Sequence, residues 1–88
     1  MSDTETADPV VRMVTRDNCP FCKMARDWFK ARGIECSDEI INDPVARNEF
    51  YDREGLIGGQ RTVPQIWIDD SRVGGWSDLQ RTEYFKSR

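Results

Sequence analysis

The sequence predicts a single α/β domain whose elements follow the order β-α-β-α-β-β-α. Three observations favour this fold class. Residues 10–14 form a short β-branched run, apolar residues recur at helical spacing after Pro20, and residues 62–68 are the most strand-like run in the chain. Strands that alternate with helical patterns are typical of a sheet covered by helices.

Length and charge agree with one small domain. The chain has 88 residues, near the lower end of what buries a core without disulfides or metals. Its net charge is −3, and the first nine positions hold several of the acidic residues. We therefore expect residues 1–9 to be a disordered acidic tail and residues 10–88 to form the folded domain.

Charge and hydropathy also limit the partners. The folded part is near neutral and lacks a basic stripe, so we expect no nucleic-acid partner. No apolar run is long enough to cross a membrane, and residues 1–9 do not resemble a signal peptide. Three cysteines cannot all pair within one chain, which disfavours a secreted disulfide scaffold. We therefore expect a cytoplasmic protein without a membrane partner.

The first unit is a strand, a turn and a helix. Residues 10–14 are predicted as a buried strand, which Asp17 and Asn18 end with turn chemistry. Pro20 suits the first helical position, where its missing N–H costs nothing, and Gly33 is typical of a helix end. Between them, apolar residues recur at the spacing of one helix face: Phe21, Cys22, Ala25, Trp28 and Phe29.

A weaker strand and a second helix follow. Residues 34–41 hold Ile34, Cys36, Ile40 and Ile41 among mostly charged residues, which favours a short strand. Asp43 is the predicted N-cap of the next helix, and Pro44 is its first residue. The helix is expected to run through residues 45–53 and to end at Gly55.

The last part of the chain is predicted to be a hairpin and a helix. A glycine-rich loop at residues 58–61 leads to the strand at residues 62–68. Residues 69–71 then form a turn, residues 72–73 a short return strand, and Gly74 with Gly75 a break. Ser77 caps a final helix from Asp78 to about Phe85, and the residues expected in the core include Trp28, Phe29, Phe50, Trp67, Leu79, Tyr84 and Phe85.

The residue types that are missing restrict the chemistry. The chain has no histidine, so a cysteine protease or transferase with an imidazole base is excluded. Zinc sites need about four soft ligands, and this chain has one close cysteine pair and the isolated Cys36. We therefore expect no metal. Cys36 is predicted to be a buried core thiol, with a regulatory thiol that becomes glutathionylated as the alternative.

Cys19 and Cys22 form the candidate redox pair. They are separated by two residues and lie at the predicted start of the first helix, shortly after the first strand. A thiolate, not a thiol, attacks a disulfide, and the N–H groups and dipole of a helix N-terminus favour a thiolate. Arg16 and Lys23 add positive potential nearby. We predict that Cys19 is the nucleophile and that Cys22, one turn into the helix, is the resolving thiol. The alternative is a chance spacing of two structural cysteines.

Three motifs together resemble a known family. Cys19-Pro20-Phe21-Cys22 is followed by Thr62-Val63-Pro64 and then by the segment from Gly74 to Leu79. In this order they resemble a glutaredoxin of the dithiol type, over about residues 10–85. The resemblance implies a thioredoxin-like fold, with a four-stranded mixed sheet flanked by about three helices. It also implies a cis Pro64 that lets the Val63 backbone pair with an extended thiol peptide.

The resemblance further implies that the ligand and reducing cosubstrate is glutathione. Gly74 and Gly75 would allow close approach, Ser77 and Asp78 would hold the γ-glutamyl end, and Arg16 and Arg61 would receive the glycyl carboxylate. Phe21 replaces a tyrosine that is common in the family, and Trp76 is bulkier than the usual residue. The full set of implied glutathione-binding residues is Arg16, Phe21, Arg61, Thr62, Val63, Pro64, Gly75, Trp76, Ser77 and Asp78.

The implied function is that of a glutathione-dependent thiol–disulfide oxidoreductase. It would act as a monomer in electron transport, on disulfide-containing or glutathionylated client proteins. Three alternatives stay open. One is an electron donor, for example to ribonucleotide reductase, that thioredoxin reductase reduces. Another is a carrier of an iron–sulfur cluster ligated by glutathione. The third is a binding module whose cysteines are structural.

Overall fold

A computed structural model describes residues 9–86, and it contains a four-stranded mixed sheet. The strand order is β2-β1-β3-β4; β1 pairs with β2 in parallel, whereas β1 with β3 and β3 with β4 are antiparallel. The predicted fold class is therefore confirmed, and the expected tail lies outside the described residues except for Pro9. The strands are β1 (Val11–Thr15), β2 (Cys36–Ile40), β3 (Gln65–Ile68) and β4 (Ser71–Gly74).

Helices cover both faces of this sheet. Their bounds are α1 (Pro20–Ala31), α2 (Pro44–Arg53), α3 (Trp76–Gln80) and α4 (Glu83–Lys86), and a 3-10 turn spans Gly58–Gln60. The predicted cap of α2 is present, since the Asp43 carboxylate accepts a hydrogen bond from the Ala46 N–H at 3.3 Å. No helix within residues 9–86 is long and apolar enough to cross a membrane.

The core has two layers, one on each face of the sheet. Alternate residues of β1 and β3 enter different layers, as the strand period of two requires. One layer joins the sheet to α1 and α3 through Val11, Met13, Ala25, Trp28, Phe29, Ile34, Ile66 and Leu79. The other joins it to α2 and the following loop through Val14, Phe50, Tyr51, Leu56 and Trp67. The predicted core positions Trp28, Phe29, Phe50, Trp67 and Leu79 are confirmed, and Phe85 packs against the first layer; the side chain of Tyr84 lies outside the described residues.

Several predicted strand bounds were wrong. β1 begins one residue late, and β2 is shorter than residues 34–41 because the Ile34 N–H donates to the Phe29 carbonyl at 3.0 Å and closes α1. β3 begins only at Gln65, since the Val63–Pro64 peptide bond is cis and lies outside the ladder. The return strand extends to Ser71–Gly74, so Gly74 ends a strand instead of breaking the chain.

The last helix also differs from its prediction. Residues 78–85 were expected to form one helix capped by Ser77, but two short helices occupy this region and the first begins at Trp76. The Thr82 hydroxyl donates to the Leu79 carbonyl at 2.7 Å and accepts a hydrogen bond from the Phe85 N–H at 3.0 Å. Local bonds of this kind compete with the helix ladder, which explains the break.

Candidate active site

Cys19 occupies the N-cap of α1. Asn18, immediately before it, has a φ of 56°, and Cys19 itself is extended, so the chain turns sharply into the helix at Pro20. The Cys22 N–H donates a hydrogen bond of 3.2 Å to the sulfur of Cys19. A sulfur at this position receives both a free amide hydrogen and the positive end of the helix dipole, which stabilise a thiolate without a histidine.

Cys19 and Cys22 are joined as a disulfide, with their Cα atoms 5.2 Å apart. Cys22 is fully buried, whereas Cys19 keeps 8% of its surface exposed. An external thiol or disulfide therefore has access to the sulfur of Cys19 and not to that of Cys22. This asymmetry agrees with the predicted roles of attacking Cys19 and resolving Cys22.

A loop with a cis peptide bond lies against the disulfide. The Val63–Pro64 bond is cis, as the resemblance implied, and the Val63 carbonyl oxygen lies 3.9 Å from the Cys19 sulfur. The buried side chain of Gln65 holds this loop, since its amide donates to the carbonyls of Gln60 at 2.8 Å and Thr62 at 2.9 Å. The hydrogen bonds of Gln65 therefore hold the loop backbone in place next to the sulfur of Cys19.

Eight of the ten implied glutathione-binding residues surround one cleft of about 240 Å³. We call it the glycine-turn cleft. Its lining consists of Phe21, Thr62, Val63, Pro64, Gly75, Trp76, Ser77 and Asp78. Phe21 is 56% exposed, whereas the Trp76 ring packs edge-on against Phe85 at 5.9 Å between centroids. The bulky Trp76 is thus half-buried against the first core layer and also lines the cleft.

The turn at Gly74 and Gly75 shapes one end of this cleft. Gly74 has a φ of +114°, and a Cβ built on it would collide with the Asp78 carboxylate. At Gly75 a Cβ would lie 3.5 Å from the Pro64 carbonyl oxygen, an ordinary contact. Gly74 is therefore required by the protein's own packing, while Gly75 leaves room beside the cleft.

The other two implied residues, Arg16 and Arg61, line a neighbouring cleft of about 450 Å³. We call it the arginine cleft; it shares Thr62 and Val63 with the glycine-turn cleft. Arg61 pairs with Asp52 at 2.5 Å and also donates to the Leu56 carbonyl at 2.8 Å. Lys23 lines a further cleft beside Cys19 together with Arg16, but it is paired with Asp27 at 2.7 Å. Of the two cations predicted to act on Cys19, Lys23 is thus held in an exposed ion pair, whereas Arg16 makes no ion pair within residues 9–86.

Sequence reasoning missed three residues of the site. Gln65 gives a local signal, because it is a polar residue inside the most apolar strand, and it proves fully buried. Arg47 and Tyr51 belong to α2 and line the arginine cleft. Burial raises the pKa of the Tyr51 phenol above its ordinary value, so the hydroxyl stays protonated. Nothing in the local pattern around Arg47 or Tyr51 points to the site.

Cys36 does not line the clefts around Cys19. It lies at the edge strand β2, half-buried, with its side chain packed against the core. Burial, together with the charge of Asp38, raises the pKa of its thiol to about 11. Within residues 9–86, no group of three or more His, Cys, Asp or Glu side chains is placed to hold a metal ion.

A mixed sheet of this topology, with a Cys-X-X-Cys pair at a helix N-terminus facing a cis-proline loop, defines a thiol–disulfide oxidoreductase of the thioredoxin-like fold. Comparison with known proteins gives the family. A family model described as glutaredoxin matches residues 11–73. The chain therefore belongs to the glutaredoxin family.

Individual relatives agree over most of the chain. It is 41% identical to a glutaredoxin of Neisseria meningitidis over 73 residues, covering 83% of this chain and 84% of that protein. It is 32% identical to glutaredoxin 3 of Escherichia coli over 69 residues, covering 78% and 80%. Glutaredoxin 1 from Francisella tularensis, solved with cacodylate, superposes with a TM-score of 0.77 at 38% identity, covering 83% and 90%.

Proposed function

We propose that this protein is a dithiol glutaredoxin that uses glutathione to reduce protein disulfides and glutathione mixed disulfides. The observation that carries the proposal is the placement of the glycine-turn cleft, which runs along the backbone of Val63 beside Cys19. A tripeptide with its cysteine at Cys19 would pair with Val63 and place one end in this cleft. A monomer in the cytoplasm, where thiols are kept reduced, fits this role.

In the glycine-turn cleft, Asp78 would pair with the α-amino group of the γ-glutamyl residue. Its carboxylate is exposed, accepts a hydrogen bond from the Gly75 N–H at 3.0 Å and lies 3.5 Å from the exposed guanidinium of Arg81. The glycyl carboxylate would then face the arginine cleft, where Arg16 is the cation nearest Cys19 in sequence. Both ends of glutathione thus meet groups of opposite charge.

The reaction with a protein disulfide takes two exchanges on the enzyme. The Cys19 thiolate attacks one client sulfur, forms a mixed disulfide and releases the other client sulfur as a thiolate. Cys22 then loses its proton and attacks Cys19, which releases the second client thiol and closes the Cys19–Cys22 disulfide. One glutathione thiolate opens this disulfide at Cys19, and a second removes the first as glutathione disulfide. The client gains two electrons and two glutathione molecules lose them.

With a glutathionylated client, Cys19 alone completes the reaction. It attacks the glutathione sulfur and releases the client thiol, and a second glutathione then regenerates Cys19. The glutathione moiety, and not the client, occupies the clefts in this branch. Cys22 is not required here.

An assay coupled to NADPH and glutathione reductase tests the proposal, with glutathione and a small glutathione mixed disulfide as substrates. We expect wild-type turnover, loss of at least about a hundredfold in Cys19→Ser because the nucleophile is gone, and retained or partial turnover in Cys22→Ser. Cys36→Ser is the matched control and should behave as wild type. Full activity in Cys19→Ser would overturn the nucleophile assignment, and turnover only when thioredoxin reductase replaces glutathione would overturn the choice of reductant.

A further inference from the structure

The arginine cleft holds more positive charge than one carboxylate requires. Arg16 follows β1, Arg61 belongs to the loop before β3, and Arg47 lies on α2 with Tyr51 one turn further on. Among the described residues that line this cleft there is no aspartate or glutamate. Three cations from three separate parts of the chain therefore face one cavity of about 450 Å³.

Two of these three charges are not neutralised. Arg61 is paired with Asp52, as described above. Arg16 donates to the carbonyls of Asp17 and Asn18 at 3.0 and 3.1 Å, and Arg47 donates to those of Ile41 and Asn42 at the same two distances. Carbonyls fix the position of a guanidinium but leave its charge in place, and neither Arg16 nor Arg47 pairs with a carboxylate within residues 9–86.

The position of the cleft determines which part of a substrate it meets. It shares Thr62 and Val63 with the glycine-turn cleft, so a chain paired with Val63 continues from one cleft into the other. In glutathione the γ-glutamyl residue precedes the cysteine and the glycine follows it. If the γ-glutamyl end takes the glycine-turn cleft, whatever follows a substrate's cysteine enters the arginine cleft. Glutathione ends there, whereas a protein client continues by about 3.3 Å per extended residue.

We propose that the arginine cleft selects client proteins that carry an acidic side chain shortly after the reactive cysteine, with Arg47 as a specificity-determining residue. This inference rests on the proposed function for the orientation of the substrate. A client glutamate would supply the negative charge that the cleft lacks, and Arg16 would remain for the carboxylate of glutathione. The chemistry is unchanged: Cys19 attacks the client sulfur, Cys22 resolves the mixed disulfide, and the client disulfide gains both electrons.

The test uses pre-reduced enzyme and no glutathione, so that it does not depend on the reductant. The substrates are disulfide-linked dimers of end-blocked cysteine peptides with glutamate two residues after the cysteine, glutamine at that position, or glutamate two residues before the cysteine. We expect the first to react about fivefold faster than the second at low salt, the size of one partly screened charge contact. The ratio should approach one in about 1 M salt, where the Debye length is about 3 Å.

Variants assign the effect to Arg47. Arg47→Gln should lose most of the preference, and Arg47→Lys, which keeps the charge, should retain most of it. Arg53→Gln is the matched control, because Arg53 lies on the same helix outside the cleft and should leave the ratio unchanged. Equal rates for the glutamate and glutamine peptides, a preference for glutamate before the cysteine, or equal losses in Arg47→Gln and Arg53→Gln would each overturn the proposal. Failure of the glutathione-coupled assay with a retained preference here would instead locate the fault in the proposed reductant.

Discussion

The Gly75 N–H donates a hydrogen bond of 3.0 Å to the carboxylate of Asp78, one turn later in the chain. The same carboxylate occupies the space that a side chain at Gly74 would need. Asp78 therefore has a fixed orientation at the end of the glycine-turn cleft before any ligand arrives. A preorganised carboxylate loses little freedom when it receives an ammonium group, which favours affinity.

The two glycines of this turn should respond differently to alanine. Gly74→Ala forces Asp78 to move and puts alanine at a φ of +114°, so we expect a loss of about 1–3 kcal/mol in the free energy of unfolding. Gly75 has a φ of −93° and room for a methyl group, so Gly75→Ala should stay within about 0.5 kcal/mol. Urea denaturation of the two variants is the measurement. Equal losses in the two variants would contradict the claim that the Asp78 carboxylate requires a glycine at position 74.

Gln65 is expected to be a positioning residue for the loop that faces Cys19. Gln65→Met keeps the size of the side chain but removes the donors to the Gln60 and Thr62 carbonyls. We expect a loss of about 1–3 kcal/mol in unfolding free energy. We also expect a lower kcat/KM in thiol–disulfide exchange, because Val63 is no longer held.

Gln60→Met is the matched control for Gln65→Met. The Gln60 side chain accepts a hydrogen bond from the Ile57 N–H at an exposed position, where water can replace it. Stability and kcat/KM should therefore stay near wild type. A Gln65 variant that lost stability but kept full kcat/KM would contradict the positioning role.

The raised pKa of the Cys36 thiol predicts that this cysteine reacts slowly with alkylating reagents. Raising the pKa to about 11, above the ordinary 9.0, lowers the thiolate fraction near neutral pH about a hundredfold. A more basic thiolate is also a better nucleophile, which recovers about tenfold. In the reduced folded protein, iodoacetamide should therefore modify Cys36 about tenfold more slowly than a free cysteine.

Mass spectrometry of the Cys19→Ser Cys22→Ser protein, with Cys36 as its sole thiol, gives this rate. The rate should keep rising as the pH approaches 11, and unfolding in urea should restore ordinary reactivity at pH 8. A rate that levels off near pH 9 would place the thiol in water and would revive its role as a regulatory site.

Proline and glycine residues at the ends of helices explain which elements the sequence predicts well. Pro20 marks the start of α1, because proline has a fixed φ and its missing N–H is not needed at the first helical position. Gly33 marks the end of α1, because its positive φ of 72° favours glycine. Thr62 and Val63 have the β-branched character of a strand, yet they lie in the loop with the cis bond before Pro64. Propensity alone does not distinguish these two states, and β3 was therefore predicted three residues too long.

The residues of the site also differ in how well the sequence predicts them. The motifs on which the family resemblance rests are contiguous in sequence, and Phe21, Thr62 to Pro64 and Gly75 to Asp78 line one cleft, as the resemblance implied. Arg47 enters the arginine cleft only because α2 packs on the face of the sheet that carries Val14 and Trp67. A contact created by packing between distant elements leaves no local signal.

A polar cluster that the sequence does not reveal adds to the apolar packing of α1 on the sheet. The Thr15 hydroxyl, which is fully buried, donates to Asp38 at 2.7 Å, and the guanidinium of Arg26 donates to the other carboxylate oxygen at 2.6 Å. Because α1 also carries both active-site cysteines, this cluster connects their helix to β1 and β2.

Asp38→Ala is therefore expected to lower the unfolding free energy by about 2–3 kcal/mol, since two donors lose a charged acceptor at a partly buried position. Asp27→Ala is the matched control: Asp27 pairs with Lys23 on the exposed face of the same helix, and little change is expected. Urea denaturation at low and high salt measures both. Most of the loss in Asp38→Ala should persist in high salt because the Asp38 side chain is only 18% exposed and its Thr15 partner is buried. A loss that vanished in salt, or one that Asp27→Ala matched, would show that the cluster contributes no more than a surface ion pair.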